Sequence, residues 1–173
     1  MSSQRISVLL SGGDRRSIGR SSHVVKLVLR APRRFAELIE CLWSDDPIVR
    51  MRAADAAEKV SAAQRELLKP YKTELLGLLA ETGQIELRWH LAQMIPRLPL
   101  TQGERRRVTN AFQRCLEDRS SIVRTFALQA LADISRNDAE LRPRVREILE
   151  QSTVRGTAAM KARARKLLKG PKS

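Results

Sequence analysis

Apolar residues recur every three or four positions along almost the whole chain, and no stretch alternates long enough to suggest a sheet. Four segments with this helical period superpose: 47–60, 86–98, 121–134 and 158–168. Aligned on a basic residue near their starts, they place Arg50, Arg88, Arg124 and Lys161 in register, at steps of 38, 36 and 37 residues. Each follows another amphipathic stretch, at 34–43, 66–80, 104–117 and 141–151. Helix, turn, helix, repeated at about 37 residues, predicts an all-α chain built as a solenoid.

The turns Asp46-Pro-Ile-Val-Arg50 and Asp118-Arg-Ser-Ser-Ile-Val-Arg124, each leading into an alanine-rich helix, resemble those of HEAT repeats, as in small bacterial-type HEAT-repeat (armadillo-like) proteins. The resemblance covers about residues 34–168. It implies a right-handed α-solenoid of about four HEAT-like helix pairs, at about 34–61, 64–98, 101–135 and 138–169. A basic N-terminal segment, 1–33, precedes them as a degenerate capping repeat, and the repeat domain 34–173 ends in a basic stretch, one structural domain overall. The resemblance also implies that Arg50, Arg88 and Arg124 bind acidic turn residues and carbonyls between repeats. The second copy departs from the pattern with Gly83-Gln84-Ile85, and the last carries Lys161 with no acid nearby.

Rotation by 100° per residue sorts each second helix into faces. Counting the register residue as zero, positions 3, 4, 7 and 10 hold Ala53, Ala54, Ala57 and Val60, then Leu91, Ala92, Ile95 and Leu98, a predicted core. Positions 1, 2, 5 and 9 fall opposite, on the side that lines the concave groove of a HEAT-like solenoid. There the chain places Arg52, then Trp89, His90, Gln93 and Arg97, then Phe126 and Gln129, and finally Arg163 and Lys166. Trp and Arg anchor interfaces, and aromatics beside cations also suit unstacked bases. These nine residues are the candidate partner-binding set. Packing of Trp89 and Phe126 between neighbouring repeats is the competing reading. Pro96 shortens or kinks the second repeat's helix.

The N-terminal segment carries a different pattern. Gly13 through Ser21 resemble a phosphate loop, with five residues rather than four between Gly13 and Gly19 and with Arg20 in place of the lysine. Arginine is too broad and forked to replace that lysine freely, and no βαβ alternation follows. The segment therefore reads as a degenerate repeat, with 6–10 and 18–30 as its helices and Ser21 or Ser22 capping the second. A weaker reading leaves Gly13, Arg15, Arg16, Gly19 and Arg20 as an anion-binding set without catalysis.

Charge changes this picture at the ends. Residues 1–34 hold 8 basic and 1 acidic side chains, and 152–173 hold 7 basic and none acidic, within a net charge of +14. The stretches 35–100 and 101–151 are near neutral, so polyanions or acidic proteins are the partners implied. A hydrophobic fraction of 42% in 173 residues supports a real core without staples. Cys41 and Cys115 both lie nine residues before their register arginines and read as core positions. Two repeats apart, at about 8–10 Å per packing step, they exceed the roughly 7 Å limit for a disulfide. Two cysteines, no apolar run long enough to span a bilayer, and no secretory signal place the protein in the cytoplasm, as a monomer.

No nucleophile–base pair, metal-ligand spacing or cofactor motif stands out, so no catalytic residue, cofactor or metal site is assigned. The function expected is a non-enzymatic scaffold that binds an acidic protein partner through its groove and basic ends. The alternative is a nucleic-acid-binding solenoid with phosphate contacts and aromatic stacking. A minor variant is an alkylpurine DNA glycosylase, also HEAT-like, for which Trp89 with Asp55 or Asp133 would be the candidates. The near-neutral middle favours the scaffold.

Overall fold

The computed structural model describes residues 4–14 and 16–170, and every regular element among them is helical. They divide into two units, one up to Thr73 and one from Glu74 onward.

The first unit is arranged around its longest helix. Asp46 and Pro47 start that helix: the Asp46 carboxylate accepts from the Ile48 N–H at 2.8 Å, and proline occupies a position whose N–H would be unpaired. Labelled α4 (Pro47–Ala63), it adjoins α1 (Ile6–Leu10), α2 (Ser21–Arg30) and α3 (Phe35–Glu40). Ala53, Ala54, Ala56 and Ala57 on α4 are all fully buried, and such small side chains let its neighbours approach closely. The Glu37 carboxylate fastens α1 to α3, accepting from the Ile6 N–H at 2.5 Å and from Arg34 at 2.8 Å.

Two expectations change here. The second helix begins at Ser21 rather than Ile18, because Gly19 sits at φ +52°, outside helical geometry. Ser21 does not cap that helix; its hydroxyl donates to the Asp55 carboxylate on α4. The stretch 66–80, expected as one helix, is split into a 3₁₀ segment, Arg65–Tyr71, and α5 (Lys72–Glu81). Pro70, which has no N–H to donate, lies at the end of the 3₁₀ segment.

In the second unit, α6 (Ile85–Met94), α8 (Ser121–Ser135) and α10 (Ala158–Leu168) adjoin one another in order. α7 (Gln102–Cys115) packs on α8, and α9 (Leu141–Arg155) packs on both α8 and α10. Local chemistry sets the starts. Thr101 and Glu104 form a capping box on α7, with bonds of 3.2 and 2.7 Å. The Ser120 and Thr157 hydroxyls accept from Val123 and Met160 at the starts of α8 and α10. At Pro96 the α6 helix gives way to a 3₁₀ turn, Ile95–Arg97, as its sequence predicts.

The helical face analysis holds for the core. Ala53, Ala54, Ala57 and Val60 are buried in the first unit, and Leu91, Ala92, Ile95 and Leu98 in the second. Among the described residues, no helix is long and apolar enough to cross a membrane.

Candidate functional site

The turns before the second helices share a hydrogen-bonded design. In three of them the residue at the helix cap donates its N–H to a side chain two positions earlier: Asp46 to Ser44 at 3.3 Å, Gln84 to Thr82 at 3.2 Å, Ser120 to Asp118 at 2.8 Å. Each acceptor lies six residues before its register arginine. Two of those arginines return to the same residue: Arg50 donates to the Ser44 carbonyl at 2.6 Å, and Arg88 to the Thr82 carbonyl at 2.9 Å. Arg88 also reaches the carboxylate of Asp118 in the following turn, at 2.5 Å. Arg124 has no such neighbour, because the next turn reads Arg155-Gly156-Thr157, and its buried Nε finds no hydrogen-bond partner among the described residues.

Arg52, expected on the solvent face, is buried at 2% exposure. A buried guanidinium is costly unless its N–H groups are matched, and the N-terminal loop matches them. Nε donates to the Ser17 carbonyl at 3.1 Å, and one terminal nitrogen to Leu10 at 2.8 Å, Gly12 at 2.5 Å and, more weakly, Ser11 at 3.4 Å. The other reaches the Asp14 carbonyl at 3.2 Å. Close approach is what the glycines permit. A Cβ on Gly19 would lie 2.7 Å from the Arg52 guanidinium carbon, and one on Gly13 would lie 3.2 Å from a terminal nitrogen.

This geometry reverses the electrostatics of a phosphate loop. The carbonyls converge inward on a cation, and part of the N–H set is turned to local acceptors: Arg16 to the Asp14 carboxylate at 2.9 Å, Gly19 to the Ser17 hydroxyl at 3.0 Å. Residues 6–10, the strand such a site requires, are helix α1. Of the anion-binding set, Gly13, Arg16, Gly19 and Arg20 lie in this exposed loop, and Arg15 lies outside the described residues. The signal for this nest is the run of positive-φ glycines, 12, 13 and 19, with φ of +79°, +76° and +52°.

In the second unit the candidate residues form a stacked row. The rings of His90 and Trp89 lie 3.5 Å apart between centres, and Trp89 stacks on Phe126 at 5.4 Å and 27°. Arg163 closes the row, its guanidinium carbon 5.8 Å from the Phe126 ring centre, a cation–π distance. Gln129 holds Arg163 from below, accepting at 2.8 Å, and its own amide donates to Asp133 at 3.0 Å. The Gln93 amide donates to the Trp89 carbonyl at 3.4 Å. His90, expected on the solvent face, is 2% exposed; Trp89, Gln93, Arg97, Phe126, Gln129 and Arg163 are half-buried; Lys166 is exposed. The Trp89 ring on α6 and the Phe126 ring on α8 are thus occupied by one another.

Cys41 is buried and Cys115 half-buried, and both are free thiols. Burial, with Glu37 and Glu40 adding to it, pushes the Cys41 thiol up to about 11, and burial raises Cys115 as well. Of the glycosylase candidates, Asp55 is engaged by Ser21 and by Lys59 at 2.8 Å, and Asp133 by Gln129 and by Arg136 at 3.0 Å. Among the described residues, no group of three His, Cys, Asp or Glu is placed to hold a metal ion. Set against known families and against curated proteins, the chain matches no family model and no individual protein.

Proposed function

We propose that this protein is a non-enzymatic helical-repeat scaffold of the HEAT-like kind, a right-handed α-solenoid that binds an acidic protein partner. Support for the repeat comes from the turn chemistry, which recurs at Ser44, Thr82 and Asp118 in the register read from the sequence. Support for the partner comes chiefly from the last helix. Lys161, Arg163, Arg165 and Lys166 lie on α10, with no carboxylate in that helix, and Arg165 and Lys166 are exposed. Such a surface attracts polyanions of either kind, protein or nucleic acid. The stacked row favours protein. Trp89 and Phe126 have ring faces taken by His90, by each other and by Arg163, so bases have no free platform there.

The test is fluorescence anisotropy at low and physiological salt, with labelled single- and double-stranded DNA and RNA beside a Glu-rich helical peptide. Peptide binding is expected to persist at physiological salt and to weaken about tenfold in an Arg163→Glu/Lys166→Glu variant. Nucleic-acid binding is expected to fall to the ~10⁻⁴–10⁻⁶ M background of a basic protein. Submicromolar nucleic-acid binding at physiological salt, lost in Trp89→Ala, would replace the acidic-protein reading with a nucleic-acid one.

A further inference from the structure

At the C-terminal end of the second unit, α8, α9 and α10 surround an open cavity of about 770 Å³. That size falls in the ~300–1,000 Å³ range of ligand pockets. Its apolar wall is made by Val145 and Leu149 of α9 and by Leu167 and Leu168 of α10. Around it stand Arg136, Arg142, Arg146 and Lys166, all exposed, and no carboxylate lines it among the described residues.

The spacing is informative. Val145 and Leu149, 2% and 6% exposed, are four residues apart on α9 and form the buried floor, and the exposed Arg142 and Arg146, also four apart, form a cationic row beside it, each with a one-turn period. A surface with two such parallel rows is complementary to a helix that carries apolar residues one turn apart on one face and acidic residues one turn apart beside them. Of the four cations, Arg136 pairs with Asp133 at 3.0 Å and Arg146 with Glu150 at 2.9 Å. The Arg146–Glu150 pair is exposed and the Arg136 side of the other pair is too, and exposed ion pairs exchange partners at little cost. A second copy of this chain is disfavoured as the occupant, because it would bring the same cationic rim against this one.

We propose that this cavity is a socket for an acidic amphipathic helix of a partner protein, whose apolar side chains rest on the half-buried Leu167 and Leu168, backed by the buried Val145 and Leu149, while its carboxylates meet Arg142, Arg146 and Lys166. The proposal rests on the acidic-partner reading above and adds to it a site and a partner shape. It separates two contributions: the rim sets the encounter rate and its salt dependence, and the floor sets how long the complex lasts.

The test uses the full chain and two labelled peptides of about 18 residues, about five helical turns. One places Leu at helical spacing among Glu; the other has the same composition in scrambled order. Anisotropy at physiological salt is expected to show the amphipathic peptide binding about tenfold or more tighter than the scrambled one. Ala132→Phe, which fills the cavity from α8 without changing charge, and Leu168→Ser, which weakens the floor, are each expected to remove that preference. Melting by circular dichroism confirms that each variant folds, and the comparison of the two peptides on the unaltered chain stands independently of both. Equal binding of the two peptides would overturn the socket while leaving the acidic-partner reading intact. Failure of both peptides, with nucleic acid bound instead, would overturn both. Peptide-induced dimers in sedimentation, with two chains per peptide, would also overturn a one-to-one socket.

Discussion

Arg52 and Arg163 each lie two residues after a cation that the sequence alignment places in register, and they have opposite surroundings. Arg52 is enclosed by the carbonyls of residues 10–17, whereas Arg163 lies half-buried over Phe126 with one amide to hold it. Helical period alone assigns both to one face. What differs is what covers that face: in the first unit a glycine-containing loop folds over it, and in the second the Phe126 ring and Gln129 amide of the neighbouring helix lie against it. A buried guanidinium is therefore enclosed by backbone in one unit, while its counterpart is left half-buried against side chains in the other.

The strongest way to break this comparison is to remove both arginines in turn. Arg52→Ala leaves a set of loop carbonyls without their donor and is expected to cost about 2–4 kcal/mol in urea unfolding, with faster tryptic cleavage at Arg16 and Arg20. A loss no greater than that of Arg163→Ala would show that the loop does not depend on its cation. Gly19→Ala should cost about 2 kcal/mol, since its Cβ meets the guanidinium and φ +52° is strained for alanine. In the Arg52→Ala background the same substitution should cost less by at least about 0.5 kcal/mol, because the steric part of its penalty is gone; a fully additive double mutant would sink the contact.

Between these extremes stands Arg88, which bonds its own turn and the next. Arg88→Ala is expected to lower stability by about 1–2 kcal/mol, because Asp118, its side chain 6% exposed, loses its cation. Arg50→Ala should lose less, as the Ser44 and Asp45 carbonyls that it reaches carry no net charge to be left uncompensated. Smallest of all, Arg163→Ala is expected to cost below about 1 kcal/mol by thermal melting while weakening acidic-peptide binding. A larger loss of stability there would make the stacked row a structural element rather than a recognition surface.

The period of apolar residues made the helices and their cores legible, down to Ala53, Ala54, Leu91 and Ile95. The turns at Asp46-Pro47 and Asp118 were legible too, because a carboxylate accepts from N–H groups at a helix start and proline has no N–H to leave unpaired there. Arg52 was misplaced because its cover comes from residues 35–42 positions earlier, beyond what a helical wheel can report. His90 went astray for a related reason: position on a wheel says which side a residue leaves the helix, and the neighbouring helix decides whether it is covered. The stacked row depends on the rotamers of Trp89 and Phe126, which spacing does not report. The end cavity was invisible because its wall is shared by residues of α8, α9 and α10, whose rows become adjacent only after packing.

The Arg52 nest also has a consequence for the order of events during synthesis. The Leu10 and Ser17 carbonyls leave the ribosome 42 and 35 residues ahead of the guanidinium they will hold. At about 5–20 residues per second, the glycine-containing loop waits some seconds as unorganised chain before its template arrives. Its shape is imposed late and from downstream, so completion of α4 is the moment at which the N-terminal segment becomes part of a folded protein.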